Sequence, residues 1–387
     1  MKFGEKMIEK ISNAAKKCIE TLEKAGFECY IVGGAIRDIL MGLAPGDFDI
    51  TTNATPDDVI SLFPKTIPTG IDHGTVTVVI DDENIEVTTY RNDGEYSDHR
   101  SPESVEFISS IDEDLSRRDF TMNAICYNPK TDIYDPLCGR NDIALKTIRA
   151  IGDPHKRYYE DALRILRAFR FSAQLGFEIE ENTFSAAIRY SYLLTKLSRE
   201  RIFSEFKKTL IADKPTAINP LIKHGAFNFL MFNNTEIPKE VEALPKIFAL
   251  RFAYLKNTLR LNTTTILMRL KSDKKTVVDT NQFDELFASP YETRSDIKRM
   301  LKYCSVENVR TYLEYLGEDK IKTLDDILSS NEPYCLSMLN IDGNDIEALG
   351  YKGQEIGKIL NSVLLYVIDN PKENIKENLI EYVSKNF

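Results

Sequence analysis

Hydrophobic residues follow two different spacings along the chain, and the change of spacing divides it into two parts. Apolar residues recur at every third or fourth position over residues 5–25, which predicts a helix that ends at Gly26. Over residues 27–127 they form short runs and alternations, which predict β-strands. After Gly152 the helical spacing returns and continues to the C-terminus. The pattern predicts an α+β protein whose strands are confined to its N-terminal part.

Cap and turn residues define two elements of the strand-rich part. Thr55 followed by Pro56 is typical of a helix start, with threonine as the N-cap and proline in the first turn, and predicts a helix over 54–63. Alternating apolar residues after this helix predict a hairpin of two strands, Thr75–Ile80 and Ile85–Tyr90. We therefore expect a sheet with at least one helix packed against it.

The most regular helical pattern lies at Tyr158–Leu175. Its apolar stripe consists of Ala162, Ile165, Leu166, Phe169 and Ala173. Charged residues at every third position form a slanted ridge beside that stripe, namely Asp161, Arg164, Arg167 and Arg170. The spacing predicts that all four charged side chains share one helix face.

A glycine pair and two carboxylates follow the first predicted strand. The run Cys29–Val32 predicts a strand that ends at Gly33 and Gly34, where a turn exposes backbone N–H groups. Asp47 and Asp49 are predicted to lie on a second strand, and residues two apart on a strand share a face. Carboxylate oxygens beside exposed N–H groups suit a divalent metal and a triphosphate.

A third carboxylate lies on the second strand of the predicted hairpin. Ile85 and Val87 face one way there, so Glu86 faces the other, away from the predicted core. The sequence predicts that Glu86 stands beside Asp47 and Asp49.

Composition excludes several classes of protein. Six cysteines stand singly and only four histidines occur in 387 residues, which argues against a zinc enzyme or a histidine-based triad. Isolated thiols are typical of a reducing compartment, and we expect a cytoplasmic protein. The sequence has no apolar run of the roughly 18 residues that a membrane span needs, and its charged N-terminal segment is not typical of a signal peptide.

The formal net charge of −10 argues, taken alone, against nucleic-acid binding. A binding groove needs basic residues only along its own surface, however, and Arg164, Arg167 and Arg170 supply such a local cluster. Net charge therefore does not exclude an RNA substrate.

Each of these signals also has a plainer interpretation. Asp-x-Asp pairs are usually turn residues or solvated carboxylates. The run Arg117-Arg118-Asp119 is compatible with a helix C-terminus at which arginine favours the dipole. Asp161 and Arg164 are compatible with a weak ion pair on a solvated helix face. Taken one at a time, the signals leave function open.

Five separated motifs together carry a resemblance to a known family. Over residues 28–205 the chain contains, in order, GGAIRD with DFDI, YRNDGEYSDHRSP, RRDFTMNA, YDPLCGRND with IRAIG, and EDALRILRAFRF. In this order and spacing the chain resembles the bacterial class II tRNA nucleotidyltransferases, which are the CCA-adding enzymes and their poly(A) polymerase relatives. Beyond about residue 230 no motif carries the resemblance.

The resemblance implies a three-part organisation. It implies an N-terminal nucleotidyltransferase head at 1–151, polymerase β-like, with a mixed sheet and flanking helices. An all-α neck at 152–232 would recognise the base, and an all-α body and tail at 233–387 would bind tRNA. Assignment of the last part rests on analogy with the family alone.

The resemblance also implies the chemistry. It implies addition of C, C and A to the tRNA 3′ end from CTP and ATP, with release of pyrophosphate. Asp47 and Asp49 would hold two Mg²⁺ ions, and Glu86 would be the third catalytic carboxylate. The alternatives are a poly(A) polymerase or an enzyme that adds only CC or only A, and, least favoured, a catalytically dead nucleotide- or RNA-binding protein.

The implied nucleotide-binding residues divide by the part of the nucleotide they contact. They are Gly33, Gly34 and Arg37 at the triphosphate, Arg118 and Asp119 at phosphate and ribose, Asp161 and Arg164 at the base, and Arg167 and Arg170 as supports of that reading or as phosphate ligands. A carboxylate accepts and a guanidinium donates, so Asp161 and Arg164 suit the amino group and ring acceptor of cytosine and adenine. Uracil and guanine present the reverse order.

The polar segment 93–100 is the predicted lever for the change from C to A addition, because it is polar, contains glycine and precedes Arg118. Its presence favours full CCA addition over CC addition alone. The implied partners are tRNA, CTP and ATP; no membrane and no stable protein partner is implied.

Overall fold

The computed structural model describes residues 9–93, 105–230 and 234–387, without the side chains of Asp93 and Asn257. The chain forms two compact units, the first ending at Glu236 and the second beginning at Ile237.

A seven-stranded mixed sheet forms the base of the first unit. The strands lie in the order β3-β4-β5-β2-β1-β8-β9, and only the β2–β5 pair within it is parallel. Their bounds are β1 Cys29–Val32, β2 Asp49–Thr52, β3 Thr66–Gly70, β4 Thr75–Ile80, β5 Glu83–Thr89, β8 Cys126–Asn128 and β9 Asp132–Tyr134. Two smaller pairs are antiparallel β6 Arg91–Asp93 with β7 Val105–Phe107, and parallel β10 Thr147–Ile148 with β11 Glu178–Ile179.

One face of this sheet is covered by the first helix, α1, Asn13–Lys24. Ser12 caps it by accepting from the backbone N–H of Ala15. Its apolar stripe is buried in one core with Ile50 of β2 and Val87 of β5. Helix α1 ends, as expected, before the glycine at position 26, but the predicted helix over 5–25 is interrupted at Ile11 and Ser12.

The second helix that covers the sheet has the predicted start. The helix over Pro56–Leu62 has proline in its first turn, and Thr55 and Asp58 form a reciprocal capping box. The predicted hairpin is also observed, as β4 and β5. The prediction that Asp47 lies on a strand is wrong, because β2 begins at Asp49 and Asp47 precedes it.

Eight further helices complete the described part of the first unit, in which the Pro56–Leu62 helix is α3. They are α2 Gly34–Leu40, α4 Ile111–Ser116, α5 Gly139–Ala144, α6 Pro154–Glu160, α7 Leu163–Leu175, α8 Glu181–Tyr190, α9 Arg199–Leu210 and α10 Asn219–Lys223. A separate small core joins Phe120 and Met122, which follow α4, to Ala168 and Phe171 of α7.

The prediction of one continuous helix over Tyr158–Leu175 is wrong. Helix α6 ends at Glu160, and Asp161 adopts an extended conformation with φ −130° and ψ 101°. The Asp161 carboxylate instead accepts the backbone N–H of Leu163 at 3.0 Å. A short polar side chain that bonds to nearby backbone competes with the helix, which explains the break. Asp161 therefore precedes the helix that carries the three arginines.

Every regular element among the described residues of the second unit is helical. The α-helices are α11 Phe248–Leu259, α12 Thr263–Arg269, α13 Lys274–Ala288, α14 Arg294–Tyr303, α15 Val306–Leu316, α16 Glu318–Ser329, α17 Gly343–Ala348, α18 Gln354–Asp369 and α19 Lys376–Asn386. They enclose two apolar cores, one around Phe283 and Leu313 and one around Val363 and Leu379. A mixed sheet followed by helices confirms the predicted α+β class. Within the described residues, no helix combines the length and apolar character that a membrane crossing requires.

Candidate active site

A tight turn after β1 brings backbone close to a carboxylate. Gly33 has φ +80° and ψ −139°, a conformation that residues with a Cβ rarely adopt. A Cβ at Gly33 would lie 3.6 Å from Asp49 Oδ2 and 3.9 Å from Arg118 Nη1. Gly34 then begins α2. The sequence therefore places glycine where the backbone turns sharply beside both a carboxylate and a guanidinium.

Asp49 and Glu86 are neighbours on adjacent parallel strands. They are register partners in the β2–β5 pair, so their side chains point to the same face of the sheet. Glu86 is exposed there, on the face opposite buried Ile85 and Val87, as the alternation predicts. Burial, the Glu86 carboxylate and Asp47 raise the pKa of Asp49 to about 6, although Arg118 opposes them.

The three carboxylates have the right chemistry for a divalent ion but are not gathered around one point. Within the described parts of the chain, no three His, Cys, Asp or Glu side chains form a group that could hold a metal. Hard carboxylate oxygens fit Mg²⁺. Burial, and after it repulsion from Glu86 and Asp47, disfavours the charge of Asp49, and a bound cation would offset that repulsion. The residues present therefore fit such an ion through Asp49, with Asp47 and Glu86 as neighbours.

A cleft of about 680 Å³ lies beside this turn. All the nucleotide-binding residues predicted from sequence line it, together with Asp49: Gly33, Gly34, Arg37, Arg118, Asp119, Asp161, Arg164, Arg167 and Arg170. Asp47 and Glu86 do not line the cleft. The volume suits a nucleotide-sized ligand, and the excess of guanidinium groups suits an anionic one.

Arg37 is held within the protein on all of its nitrogens. Its Nε and Nη2 donate to Asp38 Oδ1 at 2.9 and 2.7 Å, and its Nη1 donates to Asn123 Oδ1 at 2.8 Å. The guanidinium also lies 5.1 Å from the centre of the Phe171 ring. Its orientation in the cleft is thus fixed before any ligand arrives.

Asp119 is a buried, ionised carboxylate whose two oxygens are both engaged. Oδ1 accepts from the backbone N–H of Phe120 and from Asn123, and Oδ2 accepts from Arg167 Nε at 2.7 Å. Burial would raise its pKa, but Arg167 and the hydrogen bonds outweigh burial and hold the pKa at about 2. The geometry assigns Asp119 to the support of Arg167; its contact with ribose stays a prediction.

Asp161 lies in the break between α6 and α7, and Arg164 lies in the first turn of α7. Both residues line the cleft. Arg164 is buried, donates through Nη2 to the carbonyl of Arg117 at 2.9 Å, and leaves Nη1 without a hydrogen-bond partner. Asp161 lies 3.4 Å from Arg201 Nη2. Burial raises the pKa of Asp161 even though Arg201 opposes it. Arg164 Nη1 is itself buried, 4.0 Å from Glu160 Oε2.

The other two arginines of α7 are fixed by acids and by an aromatic ring. Arg170 Nε lies 2.6 Å from Glu205 Oε2 of α9, and both side chains are buried. The guanidinium groups of Arg167 and Arg170 lie 5.4 and 4.0 Å from the centre of the Phe171 ring. The guanidinium groups of Arg167 and Arg170 are consequently held in place on the surface of α7.

Sequence reasoning missed several residues of the site. Asp114 holds Arg117 and Arg118, and its i,i+3 and i,i+4 spacing to them is a signal that could have revealed it. Phe171 stands at i,i+4 to Arg167, which is also a local signal, whereas Glu205 had none, because an acid 35 residues from Arg170 reveals its contact only after folding. The predicted lever at 93–100 lies almost wholly outside the described residues.

Two family models match segments of the chain. Residues 29–149 match the family described as poly A polymerase head domain, and residues 176–234 match the one described as probable RNA and SrmB-binding site of polymerase A.

Two relatives are similar to nearly the whole chain. The CCA-adding enzyme of Staphylococcus haemolyticus is 35% identical over 395 residues, covering 97% of this chain and 98% of its own. That of Streptococcus mutans is 36% identical over 386 residues, covering 95% of each chain. Among solved structures, Bacillus stearothermophilus CCA-adding enzyme in complex with CTP is similar with a TM-score of 0.82 at 30% identity, covering 96% of each chain.

Proposed function

The chain belongs to the class II CCA-adding enzymes, and we propose that it adds C, C and A in turn to the 3′ end of tRNA, using CTP and ATP and no template. It is a tRNA nucleotidyltransferase. The family predicted from five sequence motifs is confirmed by relatives that span nearly the whole chain.

One structural observation carries the residue-level proposal. Three consecutive residues join the two halves of the cleft: Arg118 lies beside Gly33 and Asp49, the carbonyl of Arg117 accepts from Arg164, and Asp119 holds Arg167. A nucleotide whose base lies against Arg164 would therefore have its phosphates near the Gly33 turn.

The proposed reaction is attack of the tRNA 3′-hydroxyl on the α-phosphate of CTP or ATP, with pyrophosphate as the leaving group. The backbone N–H groups at Gly33 and Gly34 and the Arg118 guanidinium would bind triphosphate oxygens. Arg37 would add positive charge near them. The protein's contribution is mainly to position the nucleotide and stabilise charge.

We propose Mg²⁺ as the divalent ion of this site, at two positions held by Asp47 and Asp49, with Glu86 beside them. When bound, the ions supply positive charge that offsets the charge developing at the reacting phosphate and promote deprotonation of the attacking hydroxyl. Support comes from the carboxylate donor set and from the pKa of Asp49, which burial raises most and the neighbouring carboxylates raise further.

Base selection is proposed to use Arg164 as donor and Asp161 as acceptor. The Arg164 guanidinium, which lines the cleft, would donate to the ring acceptor of cytosine or adenine, and Asp161 would accept from the amino group. Exchanging the charges, with Asp161→Arg and Arg164→Asp together, should admit UTP or GTP. An unchanged preference for CTP and ATP in the folded variant would refute the pairing.

We also propose the division 1–151, 152–232 and 233–387 into head, neck, and body with tail. The matched segments 29–149 and 176–234 and the start of the second unit at Ile237 support it. A cytoplasmic location is proposed from the six cysteines, all of them free thiols.

The test is incorporation of each labelled nucleotide, singly and together, into tRNA that lacks its 3′ CCA. A CCA-adding enzyme adds two C with CTP alone and completes CCA only with both nucleotides. Repeated A addition would instead indicate a poly(A) polymerase, and a stop after C or addition of A only to tRNA-CC would indicate a partial enzyme. Shortening segment 93–100 should spare C addition and impair the final A.

A further inference from the structure

A buried acid outside the predicted site joins helix α4 and the arginines after it to the strand that carries Asp49. The side chain of Asp114, on α4, is fully buried. Its Oδ1 accepts from Arg117 Nε and Nη2 at 2.9 and 2.7 Å. Its Oδ2 accepts from Arg118 Nη2 at 3.2 Å and from the Thr51 hydroxyl at 3.1 Å. One carboxylate thus binds two guanidinium groups and a strand residue 63 positions earlier in the chain.

The partners of Asp114 lie next to the proposed phosphate site. Thr51 follows Asp49 by two residues on β2, so the two side chains share a face. Arg118 Nη1 lies 3.9 Å from the position that a Cβ of Gly33 would take. Arg118 Nε is buried without a hydrogen-bond partner. Asp114 therefore holds Nη2 of Arg118, while Nη1 of Arg118 lies beside the glycine turn.

We propose that Asp114 is a positioning residue for nucleotide binding: it fixes the Arg118 guanidinium beside Gly33 and Asp49, where it binds the triphosphate of CTP and ATP alike. This inference rests on the proposed function and extends it to a residue that does not itself touch the nucleotide.

The charge of the neighbouring arginines keeps the Asp114 carboxylate ionised. Burial would raise the pKa of Asp114, but the charges of Arg118 and Arg117 outweigh burial and lower it. A buried carboxylate is retained only where donors satisfy its oxygens, and four side-chain donor atoms do so here. Asp114 therefore remains ionised at neutral pH.

An ordinary helix ion pair would not have this geometry. Exposed i,i+3 and i,i+4 pairs contribute little and leave both side chains mobile. Asp114 is inaccessible to solvent, and the side chains of Arg117 and Arg118 are only 13% and 19% exposed. The third partner, Thr51, belongs to the central sheet. The arrangement ties the guanidinium of Arg118 to the strand that carries Asp49.

The test is a double-mutant cycle read as the Kd of CTP by calorimetry. Asp114→Asn keeps the size of the side chain but replaces an acceptor by an amide donor that faces arginine. We expect the Kd of CTP to rise about 10-fold in Asp114→Asn and about 30-fold in Arg118→Ala, from the usual strength of charge-assisted hydrogen bonds. If Asp114 acts through Arg118, the double variant binds CTP no more weakly than Arg118→Ala. Additive losses would overturn the inference.

Two controls separate positioning from folding. Asn128→Ala removes a buried polar side chain of β8 that donates to Glu23 and to the carbonyl of Cys29, outside the cleft. It should lower the melting temperature and leave the Kd of CTP unchanged. If Asp114→Asn does not fold, Thr51→Val removes one donor from the same carboxylate. Thr51→Val should weaken CTP about 3-fold in the wild-type background and not at all beside Arg118→Ala.

The same experiments distinguish this inference from the proposed function. Wild-type enzyme that incorporates C and A, together with additive losses in the cycle, would reject the role of Asp114 and leave the activity standing. Wild-type enzyme that incorporates neither nucleotide would reject the activity itself. Partial recovery of CTP binding by Asp114→Glu is expected, because the charge is kept.

Discussion

The carboxylates around Asp49 and the arginines of α7 belong to one compact unit but are stabilised in opposite ways. On α7, opposite charges meet: Arg167 lies 2.5 Å from Asp119, and Arg170 lies 2.6 Å from Glu205. Around Asp49, like charges meet, and Glu86 and Asp47 raise its pKa to about 6 together with burial.

This difference indicates how binding energy is used at each place. The base-binding groups are already held, Arg164 by the carbonyl of Arg117 and Asp161 by Arg201, so little ordering remains when a base arrives. The carboxylates repel one another and need a cation before they can act together. We therefore expect base selection to be independent of metal and catalysis to depend on it.

The largest effect should come from removing the central carboxylate. Asp49→Ala is expected to reduce incorporation of C and A at least ~1,000-fold, because the proposed metal loses its best-placed ligand. Selectivity in nucleotide binding should persist. Steady-state incorporation measures the first effect, and Asp57→Ala on the exposed face of α3 is the matched control. Near-normal turnover in Asp49→Ala would remove the metal site from the account.

A smaller loss of activity is expected from removing an arginine of α7. Arg164→Ala removes a guanidinium that lines the cleft, so kcat/KM for CTP should fall about 10- to 100-fold and the preference over UTP should shrink. Arg189→Ala, an exposed arginine of α8, is the control. Equal losses for CTP and UTP would mean that Arg164 binds phosphate rather than base.

The contacts that hold the arginines of α7 can be weakened at Glu205, a residue outside the proposed base contacts. Glu205→Gln leaves Arg170 without its charged partner, which should cost about 2 kcal/mol of unfolding free energy because the pair is buried. The KM for both nucleotides should rise a few-fold while kcat changes little. Thermal denaturation and initial rates measure the two quantities. A kcat loss as large as that of Asp49→Ala would show that the two regions are not separable.

The smallest effect is on stability. Millimolar Mg²⁺ should raise the melting temperature by about 1–3 °C, because an ion that binds only the folded state stabilises it. Asp49 must lose its proton to bind the ion, so the increment should fade as pH drops through about 6. An equal increment in Asp49→Ala would place the ion elsewhere.

The two regions also differ in how far sequence could predict them. Strand alternation predicted the face of Glu86, but its register with Asp49 depends on the pairing of β2 with β5, and Asp47 precedes β2. The α7 region was only half predicted. Helical spacing gave the arginines, but the break at Asp161 depends on one side chain that bonds to the backbone of Leu163.

Long-range partners were the least accessible part of the site. Glu205 meets Arg170 through packing of α9 against α7. No local pattern encodes such contacts. The acid at position 114 is intermediate, because its spacing to Arg117 and Arg118 is visible in sequence but its bond to Thr51 is not.

Equilibrium binding of CTP and UTP in the presence of a chelator tests the central claim most directly. If the α7 groups are fixed in advance, the wild type and Asp49→Ala should both prefer CTP over UTP by about 10-fold or more without any metal. Loss of that preference in chelator, with recovery on addition of Mg²⁺, would contradict the account, because base selection would then be assembled by the ion rather than by the fold.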